Sequence, residues 1–194
     1  MSKPHSPAAK RAVHQPPEGK NIPLAAVSGF SNSGKTTLLE KLISEMRGRG
    51  IRVGTIKHDV HGFEMDRPGK DTWRHKQAGA SATIISSPRR IGMVMDVDHD
   101  HDPLELAVFM EGMDLILLEG YKNAAIPKIE VFRSAVSRKL HCANDPNLLA
   151  VVTDSIHEIH VPCFGHDDIS DIADFLIQQL KVWIERVPSA SATK

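Results

Sequence analysis

The chain has 194 residues, a length that fits one α/β domain with a full core. Its 24 basic and 24 acidic side chains cancel, which argues against a polyanion-binding tail or a nucleic-acid groove. Two cysteines, Cys142 and Cys163, exclude a disulfide scaffold, and the absence of an apolar run of about eighteen residues or of a secretory apolar core leaves a cytoplasmic protein with no membrane span as the expectation.

Residues 1–20 read as a flexible tail. They hold Pro4, Pro7, Pro16 and Pro17, and Lys3, Lys10, Arg11 and Lys20 against Glu18 alone, without apolar periodicity. The predicted domain spans 21–186, and 187–194 is a second flexible tail. Within the domain, Ile22 to Ser28 is a short apolar run of strand type. Residues 35–49 carry Leu38, Leu42 and Met46 at helical spacing, ended by Gly48 and Gly50. Arg52 to Lys57 predicts a strand and Lys70 to Ala78 a helix. Ala82 to Ser86 and Ile91 to Val97, joined by Ser87, Pro88 and Arg89, predict a hairpin. Asp102 before Pro103 reads as the cap of a helix closed by Gly112. Strands follow at 114–118, 128–132 (alternating), 148–153 and 161–164, and a last helix carries Ile172, Leu176, Leu180 and Trp183. Apolar strands alternating with amphipathic helices predict an α/β fold: a mostly parallel sheet with helices on both faces and an antiparallel hairpin. In such sheets ligands bind beyond the strand C-termini.

One such terminus carries Gly29-Phe30-Ser31-Asn32-Ser33-Gly34-Lys35-Thr36, a complete G-x-x-x-x-G-K-[ST] loop between strand and helix. Gly29 and Gly34 let successive N–H groups turn inward, and the positive end of the following helix faces the same point. Ser31, Asn32 and Ser33 fill the loop with small polar groups. Lys35 then serves the β- and γ-phosphates, and Thr36 offers a hydroxyl to Mg²⁺. A second element, Leu115 to Leu118 followed by Glu119, is an apolar strand ending in an acid that can reach the metal. No Asn-Lys-x-Asp guanine box occurs. Asp154, at another strand end, is either a reader of guanine N–H groups or a polar strand terminus.

Several segments together resemble the MobB family of molybdopterin-guanine dinucleotide biosynthesis adaptors. They are Asn21-Ile22-Pro23-Leu24, the loop GFSNSGKTTLLEKLI, Gly54-Thr55-Ile56-Lys57-His58, Asp66-Arg67-Pro68-Gly69-Lys70-Asp71-Thr72, Lys76-Gln77-Ala78-Gly79-Ala80, and LILLEGYK from Leu115 to Lys122. The resemblance runs from about Asn21 to Leu180. It implies a P-loop NTPase fold, GTP as ligand with at most slow hydrolysis, a homodimer, and a role beside MobA, the enzyme that joins GMP to molybdopterin. By motif match, Ser31 to Thr37 would hold the phosphates, with Thr36 and Glu119 toward Mg²⁺. The segment from Asp66 to Thr72, with Asp71, and Lys57-His58 would line the same cleft or a partner surface.

Read from the residues, Lys57 is either a second ammonium for the phosphates or a surface lysine, and His58 either a phosphate ligand or a structural group. Asp71 and Thr72 are either site residues or first-turn helix groups. No residue offers itself as the group that positions a hydrolytic water.

Asp96 to Asp102 (DVDHDHD) offers oxygen and imidazole ligands for a divalent ion, but its spacing lacks the Gly of an EF-hand and Asp102 has a capping role, so it reads as a solvated acidic loop. His141-Cys142 with Cys163 and His166 lacks zinc-ligand spacing. Two rival functions share the phosphate loop. A small-molecule kinase needs an Arg-rich lid, for which Arg89-Arg90 is the one adjacent arginine pair. A metallochaperone GTPase needs clustered histidines, whereas the eleven here are scattered.

Overall fold

A computed structural model describes residues 22–186, so both expected tails lie outside the described residues. The strands β1 (Leu24–Ser28), β2 (Val53–Lys57), β5 (Leu115–Glu119), β6 (Lys128–Val131), β7 (Leu148–Val152) and β8 (Cys163–Phe164) form one parallel sheet in the order β2-β5-β1-β6-β7-β8. β1 lies between β5 and β6, with Val27 beside Glu119 on one side and Ile129 on the other. The C-terminal end of β1 is therefore the place where flanking strands diverge, the point at which an open α/β sheet offers a crevice.

One face is buried under two long helices, α1 (Lys35–Gly48) and α4 (Ile169–Arg186). Leu38, Leu39, Leu42 and Met46 pack with Ile172, Ala173, Leu176 and Leu180 onto Ala25, Val27, Leu117, Ile129 and Val152. Each of these helix sets recurs at three- and four-residue spacing, so one stripe meets the sheet. The opposite face is covered by short α3 (Pro103–Leu106), a 3₁₀ turn over Ala107–Met110, and loops.

β3 (Ala82–Ser87) and β4 (Arg90–Met95) form the expected antiparallel hairpin, with Ser87 opposite Arg90. It does not border the parallel sheet: its strands pair with each other in a separate two-stranded sheet. α2 (Asp71–Gln77) lies between β2 and this hairpin in the chain, and Lys76 reaches across to Asp96 at 2.6 Å. The hairpin is unusually apolar on its surface. Ile84, Ile85 and Ile91 are 63%, 61% and 76% exposed.

β6 alternates as the sequence predicts, but its polar face is not solvated. Lys128 and Glu130 do share one face, but both are fully buried, because loops close over that face. The Lys128 ammonium donates to the carbonyls of Lys122 (3.0 Å) and Ala124 (2.9 Å) and to the Asp145 carboxylate. The Glu130 carboxylate accepts from the N–H groups of His141 (2.6 Å) and Cys142 (2.7 Å). Each charge thus pins a loop to the sheet. Burial pushes the Asp145 carboxyl up, but Lys128 and the Asn147 N–H groups outweigh it, and its pKa ends below the usual 3.8.

Candidate functional site

The loop after β1 has the shape its glycines permit. Gly29 has φ 133°, and a Cβ there would stand 2.3 Å from the Val131 carbonyl oxygen. No side chain fits in that gap, so the loop can rest directly on the backbone of β6. Ser33 N–H turns back to the Phe30 carbonyl at 3.2 Å, Asn32 takes φ 63°, and Gly34 takes φ 98° as the residue before α1. No side chain caps α1, so its first N–H groups remain available to an anion. Ser31, Asn32 and Thr37 are exposed along this rim.

Lys35 folds back over the loop and donates to the carbonyls of Gly29 (3.1 Å) and Phe30 (2.8 Å). Burial lowers its pKa below 10.5, Glu119 opposes this, and the neighbouring Lys57 adds to it. Lys35, Lys57 and Glu119 therefore share one electrostatic neighbourhood. Their closeness follows from topology: Lys57 and Glu119 are register partners at the ends of β2 and β5. Next to them the Thr36 hydroxyl donates to Glu119 Oε1 at 2.9 Å, joining residues 83 positions apart. Ser33 Oγ is buried in the loop with no hydrogen-bond partner among the described residues.

Arg133 was not singled out from the sequence. It follows β6, donates from Nε to the Ser33 carbonyl at 3.1 Å, and places its guanidinium where a Cβ on Gly34 would point. Only the strand end itself hinted at it. Asp154 lies one strand further along. Its carboxylate accepts from Ser134 N–H at 2.8 Å and Ser134 hydroxyl at 3.2 Å, and those bonds hold its pKa below the ordinary value. The His58 ring lies 4.7 Å from that of Tyr121 and pairs with Asp100 at 2.9 Å. Asp71 is exposed on α2, 3.9 Å from Arg74, and lines a shallow hollow with Asp66, Lys70 and Ile85 beside the hairpin. Arg89 and Arg90 sit at the hairpin turn. Cys142 is buried against Ser28 whereas Cys163 is exposed, and among the described residues the two form no ligand cluster.

The family model described as "MobB: Molybdopterin guanine dinucleotide synthesis protein B" matches residues 24–154, which include the loop, Lys57, Glu119 and Asp154. The chain belongs to the MobB family. Relatives include the molybdopterin-guanine dinucleotide biosynthesis adapter protein of Escherichia coli K12, 37% identical over 82% of this chain and 94% of the relative. The adapter protein of Haemophilus influenzae is 39% identical over 80% and 88%. The crystal structure of Bacillus subtilis MobB superposes with a TM-score of 0.64 at 30% identity, covering 82% of this chain and 98% of that one. This MobB-family chain thus shares the P-loop-type α/β architecture of its structural neighbours, and among its described residues no helix is long and apolar enough to cross a membrane.

The residues present fit a magnesium nucleotide. The loop leads into a helix start with no side-chain cap, and it holds a buried hydroxyl without a partner among the described residues and a Thr36–Glu119 pair with the oxygen donors that magnesium takes.

Proposed function

We propose that this MobB-family chain is a GTP-binding adapter in molybdopterin guanine dinucleotide biosynthesis, a dimer that works beside the MobA guanylyltransferase. The observation carrying the nucleotide reading is the 2.9 Å bond from Thr36 to Glu119, which sets the two metal-facing groups at the mouth of the phosphate loop. Gly29, Ser31, Asn32, Ser33, Gly34, Lys35, Thr36 and Thr37 form the cradle, and Lys57 adds a second ammonium to its rim. Bound magnesium would neutralise charge on the β- and γ-phosphates. Lys35 binds and orients those phosphates, and Arg133 holds the loop's shape from behind.

In this reading hydrolysis of the bound nucleotide is at most slow. Asp154 serves as the guanine reader, its orientation fixed by Ser134. The exposed apolar hairpin supports the dimer, because a surface of Ile84, Ile85 and Ile91 is costly to leave in water. Asp71, beside the hairpin, belongs to the partner-facing side of this reading.

Calorimetry with GTP, ITP, XTP and ATP, each with and without Mg²⁺, tests the proposal. GTP should bind best and only weakly without metal. Asp154→Asn should move preference from GTP toward XTP. Equal binding of all four triphosphates would remove Asp154 from the base, and no binding of any would end the nucleotide reading. Gel filtration of the full chain should give twice its 21.4 kDa mass, and Ile85→Asp with Ile91→Asp should shift it to monomer.

A further inference from the structure

The segment between the hairpin and α3 carries a cluster that the nucleotide site does not use. His99, His101 and Glu105 each bring one ligand atom within 4.8 Å of the other two. Glu105 Oε2 is 3.2 Å from His101 Nδ1 and 3.7 Å from His99 Nε2. Three ligands of a tetrahedral zinc ion, each about 2.0–2.1 Å from the metal, stand about 3.3 Å from one another. The two separations from Glu105 bracket that value, and the third, between the two imidazole nitrogens, lies within 4.8 Å, so the exposed side chains close around an ion by rotating toward it. Two imidazoles and a carboxylate are donors for a zinc-class cation, whereas calcium and magnesium prefer oxygen alone.

The cluster is also held in place. Glu105 Oε2 accepts from the Asp102 N–H at 2.9 Å, and Asp102 Oδ1 accepts from the Leu104 N–H at 2.9 Å, a reciprocal cap that fixes Glu105 at the start of α3. Asp98 Oδ1 is 2.7 Å from His99 Nδ1, which orients the ring with Nε2 toward Glu105. A carboxylate behind a histidine is the usual partner of a ligating imidazole. The two rings lie 4.0 Å apart. Between them in the chain, Asp100 pairs with His58 and ties the loop to the end of β2.

We propose that His99, His101 and Glu105 bind a zinc-class divalent cation through Nε2, Nδ1 and Oε2, with water in the fourth position and Asp98 orienting His99. This is a site separate from the Thr36–Glu119 pair, and it stands whether or not the nucleotide reading does.

Cobalt(II) is the probe, added to the full chain in nucleotide-free and magnesium-free buffer. One equivalent should produce the intense visible absorption of four-coordinate cobalt, and one equivalent of zinc should abolish it. The double variant His99→Ala, His101→Ala should show no such band. His99 is exposed and His101 partly so, and neither belongs to the buried core, so thermal unfolding of the variant without metal should stay close to the parent. Glu105→Gln keeps an oxygen for the helix cap but loses the anionic ligand. It should weaken cobalt binding by more than the ~10–100-fold that losing an outer partner costs, while Asp98→Asn should fall within that range. The pale spectrum of six-coordinate aqueous cobalt in the parent would overturn the proposal, as would a four-coordinate band that survives in the double histidine variant. Unchanged affinity in Asp98→Asn would overturn the orienting role.

Discussion

The two sides of β1 hold charge in opposite ways. Toward β6, Lys128 and Glu130 are completely buried, yet the ammonium has three acceptors and the carboxylate has two backbone donors. Toward β5, Lys57 and Thr36 are exposed and Lys35 is half-buried against loop carbonyls, and in the loop above the end of β1 Ser33 Oγ is buried with no partner among the described residues. A charge whose hydrogen-bonding capacity is used up inside the chain holds structure together. Charges gathered around unfinished polar groups are prepared for something from outside. Burial alone would have ranked Lys128 above Lys35 as the unusual lysine, and it would have pointed to the wrong side of the strand.

That contrast can be broken experimentally, beginning with its strongest consequence. Lys128→Met should cost ~3–5 kcal/mol in urea unfolding, because it leaves Asp145 and two carbonyls without their cation. The same variant should bind nucleotide normally wherever it is folded. Adding Asp145→Leu should restore part of the loss. The pairing also carries a pH signature. Since Asp145 titrates below 3.8 in the folded chain, its contribution is complete above that value and lost as pH falls through its folded pKa. Lys128→Met should flatten this acid limb.

Lys35→Ala should act the other way round. It removes a charged donor from the phosphate cradle, worth about 1.5–3 kcal/mol, so GTP affinity should fall roughly 10–150-fold while the urea midpoint barely moves. A large stability loss would place Lys35 with Lys128 and end the distinction. Thr36→Val should be milder, with ~0.5–1.5 kcal/mol of GTP affinity lost in magnesium and almost none without it. The smallest effect is a proton. Burial keeps Lys35 below its usual 10.5, and a polyphosphate should raise it again. GTP binding at alkaline pH should therefore take up protons, seen as a dependence of binding heat on buffer ionisation enthalpy. Proton release there would contradict the placement of Lys35 on the phosphates.

The same contrast explains how much the sequence disclosed. The phosphate loop was legible because its glycines, lysine and threonine act within one turn of chain, and strand and helix flank it at once. An acid closing a buried strand is common by itself, and Glu119 stood out only beside the loop motif, whose Thr36 it meets at 2.9 Å. Arg133 was not, since its contact with Ser33 spans 100 positions and no motif surrounds it. The burial of Lys128 and Glu130 was not legible, because period-two alternation describes which face a residue takes, not what covers that face. The hairpin was legible as a hairpin, but local pattern carries no information about which sheet, if any, its edges would join.

Gly29 has one more consequence. Because the Val131 oxygen occupies the space where its side chain would be, the first turn of the nucleotide loop and the end of β6 are a single wall with no slack between them. The codon at this position is closed to drift: even alanine would have to push a central strand aside. Insertions that lengthen the loop can be absorbed only on its outer rim, at the exposed Ser31 and Asn32.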